Sequence, residues 1–492
     1  MSFASGGDFS FNFLVIAAIG LGLAFEFVNG FHDTANAVAT VIYTHSLRPA
    51  VAVIWSGIWN LIGVLTSSGA VAFAVVSLLP VELVLNVSSA AGVAMVMSLL
   101  VSAMIWNLGT WYLGLPASSS HTLIGSILGV GLANSYLSGG KVFGEGVNWG
   151  KAGEVFASLV TSPVIGFVLA AGLLLLCKAV VKRPELYLPA DPTKVPPPWI
   201  RGLLIFTCTG VSFAHGSNDG QKGMGLLMLI LIGLMPAGYA VDLAMPQQRV
   251  VQLGESARSV AAAISAGQPE QPATLSDASE ELSRFLKTSA AVSRTLGAAA
   301  LVNFEIARQL EGKTALTQVT PADRPQFRTL CYLGGESVAR LQQQGKLKSI
   351  DAGLLSRYRA ALNSATRFIP GWVKVAVALS LGLGTMIGWK RIVVTVGEKI
   401  GKEHMSYAQG ASAELVAMTT IGAADLAGLP VSTTHVLSSG IAGTMVANNS
   451  GLQTGTLRNL LLAWVLTLPV CVFLGATLFA ASLNIFSRMV LR

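Results

Sequence analysis

Charged residues are scarce in this chain. Only 11% of its 492 residues are Asp, Glu, Lys or Arg, whereas 52% are hydrophobic and the mean hydropathy is +0.63. A soluble domain carries about 25% charged residues, so the shortage excludes a mainly water-soluble protein. The net charge of +8 is typical of basic cytoplasmic loops in a membrane protein. We therefore expect the lipid bilayer, and no nucleic acid, among the partners.

Cysteine pairs, a basic region before the first apolar run and a hydrolase signature are also missing. The four cysteines are scattered without CxxC or metal-ligand spacing, so we expect neither a protein-bound metal nor a cofactor. No basic segment precedes the first apolar run, which predicts an uncleaved membrane helix rather than a signal peptide. No G-x-S-x-G sequence occurs, so an intramembrane hydrolase is only a weak alternative, and we expect no enzyme.

Long apolar stretches predict membrane-spanning helices. A helix needs about 20 apolar residues to cross a hydrocarbon core of about 30 Å. We expect an all-α polytopic membrane protein with about ten to twelve transmembrane helices. The stretches lie near 11–28, 50–79, 89–112, 154–177, 200–214 with 223–241, 370–389, 406–427 and 457–487.

Two polar phrases occur once in each half of the chain. Residues 30–36 read GFHDTAN and residues 216–222 read GSNDGQK, while residues 114–121 read GLPASSSH and residues 428–435 read GLPVSTTH. Such a duplication of polar residues at membrane depth is typical of secondary transporters built from two inverted repeats around one central site.

The apolar runs around these phrases are short and interrupted by Gly, Pro or Ser. Non-helical backbone at membrane depth is tolerated only where protein or a water-filled cavity surrounds it. We therefore expect broken or re-entrant helices at 30–45, 114–136, 215–235 and 428–447.

The spacing of the phrases locates an insertion. Asp33 and Pro116 are 83 residues apart, whereas Asp219 and Pro430 are 211 apart, a difference of 128. The excess matches a polar segment, within which the stretches 280–310 and 336–362 predict amphipathic helices. The predicted units are a first transmembrane repeat at 1–177, a basic Pro-rich cytoplasmic linker at 178–199, a second repeat at 200–241 and 370–492, and a soluble helical insert at 242–369.

The Gly-Leu-Pro phrases predict two helix N-termini. Gly and Pro end one helix, and the following hydroxyls cap the next. A helix N-terminus offers unpaired N–H groups and about half a positive charge, which suits an oxyanion. Hydroxyls that only satisfy helix carbonyls are the structural alternative, and the duplication of the phrase argues against it.

Asp33 and Asp219 sit at matched positions of the other phrase. A lone carboxylate in the bilayer costs at least ~2.5–3.5 kcal/mol, so it needs a cation, a proton or a pairing partner. Asn36 and Asn218 add neutral oxygen atoms, which suits Na⁺ or a proton-binding carboxylate. Helix caps at the membrane surface are the structural alternative.

With these motifs the chain resembles the inorganic phosphate transporter (Pit) family, whose hallmark is a duplicated G-x-N-D-x-x-N phrase. The resemblance covers nearly the full length except the insert, and it is closest to bacterial low-affinity, proton-coupled members. It implies cation sites at Asp33, Asn36, Asn218 and Asp219. It also implies a phosphate site formed by Ser118, Ser119, Ser120, Thr122, Ser432, Thr433 and Thr434.

The chain departs from the family phrase at two positions. His32 replaces an Asn beside Asp33 and titrates near neutral pH. Lys222 replaces the later Asn and could act as a tethered cation beside Asp219. Both departures favour protons over sodium as the coupling ion, unless these side chains only pair with neighbours. Three further histidines are candidates for a supporting role: His121, His215 and His435.

The combined expectation is an importer of inorganic phosphate in the bacterial inner membrane that works by proton symport and alternating access. The anion requires compensating charge, from protons or from a divalent metal that travels with it as a neutral complex. Arsenate is an expected competing substrate, and the sequence is compatible with a homodimer. A sodium-coupled phosphate symporter is the alternative. A passive anion channel is disfavoured because the duplicated carboxylates would repel an unaccompanied anion.

Overall fold

Helices form the regular secondary structure of the residues that the structure describes. The computed structural model describes residues 9–33, 35–79, 89–137, 144, 147–191 and 194–490. Helices satisfy their own backbone hydrogen bonds, which segments in lipid require, and the predicted all-α class is confirmed. In chain order the helices are α1 (Phe9–Asp33), α2 (Ala35–Tyr43), α3 (Pro49–Thr66), α4 (Ala70–Val76), α5 (Ala90–Tyr112), α6 (Ser119–Leu137), α7 (Trp149–Val180), α8 (Pro198–Leu234), α9 (Pro236–Tyr239), α10 (Gln247–Ser265), α11 (Leu275–Thr288), α12 (Ser293–Gln309), α13 (Arg324–Gln343), α14 (Ala352–Thr366), α15 (Gly371–Met386), α16 (Lys390–Glu398), α17 (Tyr407–Leu426), α18 (Thr433–Ala447) and α19 (Thr454–Val490).

Several of these helices are long and apolar enough to cross a membrane. A bent pair, α14 and α15, meets at 69° and is a further candidate. The predicted ten to twelve passes also include helices with polar interiors, such as α8 and α17, and that number stays a prediction. Within the described residues the candidate spans are Asn12–Tyr43, Pro49–Thr66, Ala91–Tyr112, Ala152–Val180 and Thr454–Ile485.

The break expected within 215–235 is absent, because α8 runs through this segment without interruption. Its polar side chains find partners inside the protein: Lys222 pairs with Asp219, and Gln221 donates to Asp425. A polar residue that is paired within the bundle does not need an unwound backbone. The prediction of a broken helix was therefore wrong at this phrase.

Other predicted segments are divided more finely than expected. The stretch 50–79 forms α3 and α4, separated at Gly69, whose φ of 85° favours glycine. In the insert, 280–310 forms α11 and α12 with Ser289 at φ 58° between them, and 336–362 spans parts of α13 and α14. A single residue in the left-handed conformation separates the helices at these points. Such a residue is difficult to predict from sequence when it is not glycine.

The two Gly-Leu-Pro phrases end their helices in the same way. Gly114 and Gly428 have φ of 66° and 65°. The N–H of Leu115 donates to the carbonyl of Thr110, and the N–H of Leu429 donates at the equivalent position, each at 2.9 Å. This is the Schellman arrangement, which satisfies the last carbonyls of α5 and α17. Both copies thus turn the chain toward a second helix start.

Glycine opens each Asp phrase because two helices touch there at backbone distance. A Cβ at Gly30 would lie 2.3 Å from the carbonyl oxygen of Leu381 on α15, and one at Gly216 would lie 2.2 Å from that of Asn60 on α3. Small residues permit such close helix packing. Correspondingly, α6 packs on α19 and α18 packs on α7. Each of these pairs joins a helix of one half of the chain to a helix of the other half, which fits a two-fold repeat. The inverted orientation of the repeats stays a prediction.

The Asp phrases form a polar layer between two apolar cores. Along α8, residues up to Ala214 belong to one core and residues from Met224 belong to the other. Along α1 and α2 the order is reversed. Residues up to Phe25 share a core with Met224, and residues from Ala37 share a core with Ala214. The layer therefore lies where both halves of the chain contribute side chains.

The polar segment after α9 has a hydrophobic core of its own, built from residues between Val241 and Ala365. Arg328 joins its two ends, since its Nη1 donates to the carbonyls of Ala240 at 2.9 Å and Thr366 at 2.8 Å. The proposed limits of a separate insert, 242–369, stay a prediction.

Candidate functional site

Two buried carboxylates meet through one hydroxyl group. Asp33 at the end of α1 and Asp219 within α8 are at most 1% exposed. The hydroxyl of Ser119, the first residue of α6, lies 2.9 Å from Oδ2 of Asp33 and 3.3 Å from Oδ2 of Asp219. Thr434 of α18 donates a short hydrogen bond to the other oxygen of Asp33. A hydroxyl has one proton to donate, so Ser119 serves one carboxylate at a time.

The N-termini of α6 and α18 are capped alike. The hydroxyl of Ser118 accepts from the N–H of His121 at 3.2 Å, and that of Ser432 accepts from the N–H of His435 at 3.1 Å. The predicted capping is confirmed. Because Ser119 and Thr434 reach the carboxylates, both helices begin at the polar layer and direct their positive ends toward it.

The other hydroxyls predicted to lie near phosphate are engaged within the protein. Ser120 donates to the carbonyl of Val431 at 2.7 Å, and Thr122 donates to the carbonyl of Ser118 at 2.8 Å. Thr122 therefore satisfies its own helix, whereas Ser120 connects the two Gly-Leu-Pro phrases. All of the predicted hydroxyl residues are buried: Ser118, Ser119, Ser120, Thr122, Ser432, Thr433 and Thr434.

Lys222 places a fixed positive charge in the polar layer. Its side chain is 1% exposed, and its Nζ lies 2.8 Å from Oδ1 of Asp219 and 2.5 Å from Oγ of Ser120. The carbonyl of Val431 lies 3.4 Å away. One lysine therefore contacts the Asp phrase and both Gly-Leu-Pro phrases.

His32 contacts the first carboxylate. Its Nδ1 lies 3.3 Å from Oδ1 of Asp33, and its Nε2 lies 3.1 Å from the hydroxyl of Thr110 on α5. The ring is fully buried. The two carboxylates thus have different basic neighbours, an imidazole beside Asp33 and an ammonium beside Asp219.

Asn218, predicted to provide an oxygen to a cation, uses its nitrogen within the protein. Nδ2 donates to the carbonyl of Leu429 at 3.1 Å. Its buried Oδ1 has no hydrogen-bond partner among the described residues. The oxygen is therefore available to a cation. Asn36 belongs to α2, but its side chain lies outside the described part of the structure.

His215, for which the sequence suggested only a supporting role, lies close to both carboxylates. Its Nε2 lies 3.6 Å from Oδ2 of Asp219 and 3.9 Å from Oδ2 of Asp33, and its Nδ1 lies 2.7 Å from Oδ1 of Asn60. Ligand atoms of Asp33, His215 and Asp219 lie within 4.8 Å of one another, a cluster that could hold a metal ion. The cluster forms because an unbroken α8 brings positions four apart onto one face. The expectation that the protein holds no metal of its own stays a prediction.

His121 and His435 contact each other rather than the carboxylates. Their ring centroids are 4.7 Å apart, and the ring of His435 stacks on Trp464 at 4.1 Å. The indole N–H of Trp464 donates to the carbonyl of Pro116 at 3.0 Å. These rings join the two Gly-Leu-Pro phrases.

Asp425 is a partly buried partner that the sequence did not single out. It accepts from the hydroxyl of Ser217 and from Nε2 of Gln221, each at 2.6 Å. The available signal was an acidic residue in the last turn of an apolar segment, three residues before Gly428. It holds the second Asp phrase against α17.

Comparison with known proteins agrees with this architecture. The model of the phosphate transporter family matches residues 29–475. A solved structure described as the sodium-dependent phosphate transporter has a similar fold, with a TM-score of 0.52 at 18% identity over 95% of this chain and 98% of that one. At this identity the likeness shows the fold alone.

Several bacterial transporters are similar to this chain along nearly its whole length. PitA of Escherichia coli K12, a low-affinity inorganic phosphate transporter, is 42% identical over 98% of this chain and 99% of its own length. PitB of the same organism is 40% identical over the same shares. A low-affinity inorganic phosphate transporter of Buchnera aphidicola is 39% identical over 96% of this chain and 98% of its own. This chain belongs to the phosphate transporter family, and it is a multi-pass membrane transporter and not an enzyme.

Proposed function

We propose that the protein imports inorganic phosphate across the bacterial inner membrane by proton symport, with alternating access to the polar layer. Bacterial relatives named as low-affinity inorganic phosphate transporters match it along nearly their full length. Arsenate, which has the same charge and tetrahedral shape, is expected to compete.

The contact between Lys222 and Asp219, 2.8 Å long, is the observation that supports protons over sodium. A carboxylate at membrane depth needs a counter-charge, and here the chain supplies one itself. A sodium ion is then not needed at Asp219. The remaining charge of Asp33 and of the phosphate must be offset by ions that cross with the substrate, and protons fulfil this demand.

The starts of α6 and α18 are the proposed phosphate site. Their N–H groups and hydroxyls suit a tetrahedral oxyanion, and Ser119 and Thr434 already donate to Asp33. Phosphate bound there competes with the carboxylate for these donors, since each hydroxyl has a single proton. Protonation of the carboxylate would release the donors, which links proton binding to phosphate binding.

A divalent metal can enter this scheme as part of the cargo. The cluster of Asp33, His215 and Asp219 offers two oxygens and one imidazole nitrogen, which suits a divalent ion. A metal–hydrogen phosphate complex carries little net charge and needs fewer protons. Its metal would contact the carboxylates while its phosphate contacts the two helix starts.

Two other functions have weaker support. A sodium-coupled symporter is favoured only by the free oxygen of Asn218, which could bind a sodium ion. An intramembrane hydrolase would require a free base beside a serine hydroxyl. The lysine beside Ser120 is instead paired with Asp219, and Ser120 donates to the carbonyl of Val431.

Uptake of labelled phosphate into proteoliposomes tests the proposal. Wild-type protein should take up phosphate with arsenate as a competitor, and Asp33→Asn and Asp219→Asn should each abolish uptake. Sulfate should not compete, because it lacks the proton that hydrogen phosphate can donate to a carboxylate. Uptake that persists in both variants would contradict a site built on these carboxylates.

A further inference from the structure

Glu26 is a second kind of buried carboxyl group, outside the repeated phrases. It lies on α1 seven residues before Asp33 and is fully buried. Matching Asp33 with Asp219 aligns Glu26 with Ser212. The first half of the chain therefore has an acid where the second half has a hydroxyl, and the duplication does not account for it.

Glu26 has few partners. Nδ2 of Asn29 donates to its Oε2 at 3.4 Å, and its Oε1 has no hydrogen-bond partner among the described residues. No Lys, Arg or His of the described chain forms an ion pair with it. Asp33 and Asp219, by contrast, have the basic neighbours His32 and Lys222.

A niche on α8 accommodates this carboxyl group. A Cβ at Gly223 would lie 2.1 Å from Cγ of Glu26 and 2.4 Å from Oε1, so any larger residue would displace the acid. Gly223 follows Lys222 directly and lies one turn after Asp219. The absence of a side chain at this position places Glu26 against the helix that carries the central ion pair.

The charges that act on Glu26 are Asp219 and Lys222 on α8 and Asp33 on its own helix. Lys222 is already paired with Asp219, so an ionised Glu26 would lack a counter-charge of its own. An uncompensated carboxylate at membrane depth is unfavourable, so the group is neutralised by a proton or paired with a cation. The other helices packed on α1 carry these titratable groups, none of which forms a hydrogen bond or ion pair with Glu26 in the described structure: Lys374 on α15, Tyr112 on α5, and His121 and Tyr136 on α6.

We propose that Glu26 binds one of the co-transported protons. With the proton on its carboxylate Glu26 is neutral, and Lys222 is free to pair with Asp219, as in this structure. Loss of the proton leaves a carboxylate beside α8 that the charge of Lys222 attracts, so proton release draws the lysine from Asp219. The protonation state of Glu26 thereby changes the charge of the central site. This assignment rests on the proposed proton symport.

Glu26→Gln tests the assignment, because glutamine has the shape of the protonated acid and cannot release a proton. Two readouts in proteoliposomes separate its effects: exchange of labelled for unlabelled phosphate without a gradient, and accumulation driven by an inward pH gradient. The matched control is Glu414→Gln. Glu414 is a fully buried carboxyl group on α17 that accepts from Thr40 and, at 2.5 Å, from Thr207, outside the polar layer.

Glu26→Gln should exchange phosphate like the wild type, and Glu414→Gln should keep both activities. With a pH gradient of about one unit, Glu26→Gln should accumulate about tenfold less phosphate than the wild type. One co-transported proton contributes about a factor of ten per pH unit. Its exchange should also become less sensitive to alkaline pH than that of the wild type at the same pH. Unchanged accumulation would overturn the assignment, and so would loss of exchange, which would place Glu26 in translocation itself. If wild-type protein exchanges phosphate but ignores the pH gradient, proton symport itself fails, and the assignment fails with it.

Discussion

The ammonium group of Lys222 lies 2.8 Å from the carboxylate of Asp219, one turn away on the same helix. Both side chains are at most 1% exposed. The pair sits between two apolar cores, where a mobile cation would otherwise be required. A positive charge is therefore built into one half of the site, while Asp33 in the other half has a histidine beside it.

Removing the lysine charge should destabilise the protein. Lys222→Gln leaves a buried carboxylate without its partner, which costs about 3–5 kcal/mol. The melting temperature in detergent should fall, and added Na⁺ should restore part of it, because an ion that binds only the folded state stabilises that state. The double variant Asp219→Asn with Lys222→Gln should recover most of the loss. A double variant as unstable as the single one would contradict the pairing.

Ser119→Ala should impair transport more than loss of a neighbouring hydroxyl. It removes the donor shared by Asp33 and Asp219, and a hydrogen bond to a charged group contributes about 1.5–3 kcal/mol, which corresponds to about tenfold or more in phosphate affinity. Thr122→Val is the matched control, since Thr122 donates to a carbonyl of its own helix. Initial uptake rates against phosphate concentration measure both, and equal effects would argue against the bridging hydroxyl.

The sequence predicted the parts of the site that rest on local rules. The helix ends at Gly114 and Gly428 follow from glycine and proline, and the caps follow from the hydroxyls after them. The unbroken α8 could not be predicted in this way, because polar residues at membrane depth also suit a broken helix. Because a break was expected in α8, the sequence did not predict that His215 and Asp219 lie on one face of that helix. The contact between α17 and the second Asp phrase has no local sequence signal either.

Close packing at the Asp phrases should not tolerate a methyl group. Gly216→Ala places a Cβ 2.2 Å from the carbonyl oxygen of Asn60, and overpacking typically costs about 1–3 kcal/mol. Gly202→Ala on the same helix meets nothing within 4 Å and should be neutral or stabilising by up to about 1 kcal/mol. Thermal unfolding of the two variants in detergent provides the comparison. Equal melting temperatures would show that α3 and α8 are not packed as described.

The polar segment after α9 should show an acid-dependent stability. Burial alone would raise the pKa of Glu281, but hydrogen bonds from Arg284 and Thr295 hold that pKa below its usual 4.5. Because the folded pKa is the lower one, the pair stabilises the segment fully above the unfolded value and less as pH falls through the folded value.

Glu281→Gln should therefore destabilise α11 and α12 at neutral pH and remove part of their acid sensitivity. Hydrogen exchange of these helices in the full chain, from neutral pH to about pH 3, measures the effect. Glu311→Gln is the control, since the pair of Glu311 with Arg258 is 66% and 58% exposed and such pairs contribute little. An identical pH profile for wild type and Glu281→Gln would contradict the prediction.

The most direct test of proton symport is to separate the two driving ions. Labelled phosphate uptake is measured in proteoliposomes with either an inward pH gradient in sodium-free buffer or an inward Na⁺ gradient at constant pH. We predict accumulation with the pH gradient alone and only equilibration with the Na⁺ gradient. Accumulation driven by Na⁺ at constant pH, with no response to the pH gradient, would contradict the account.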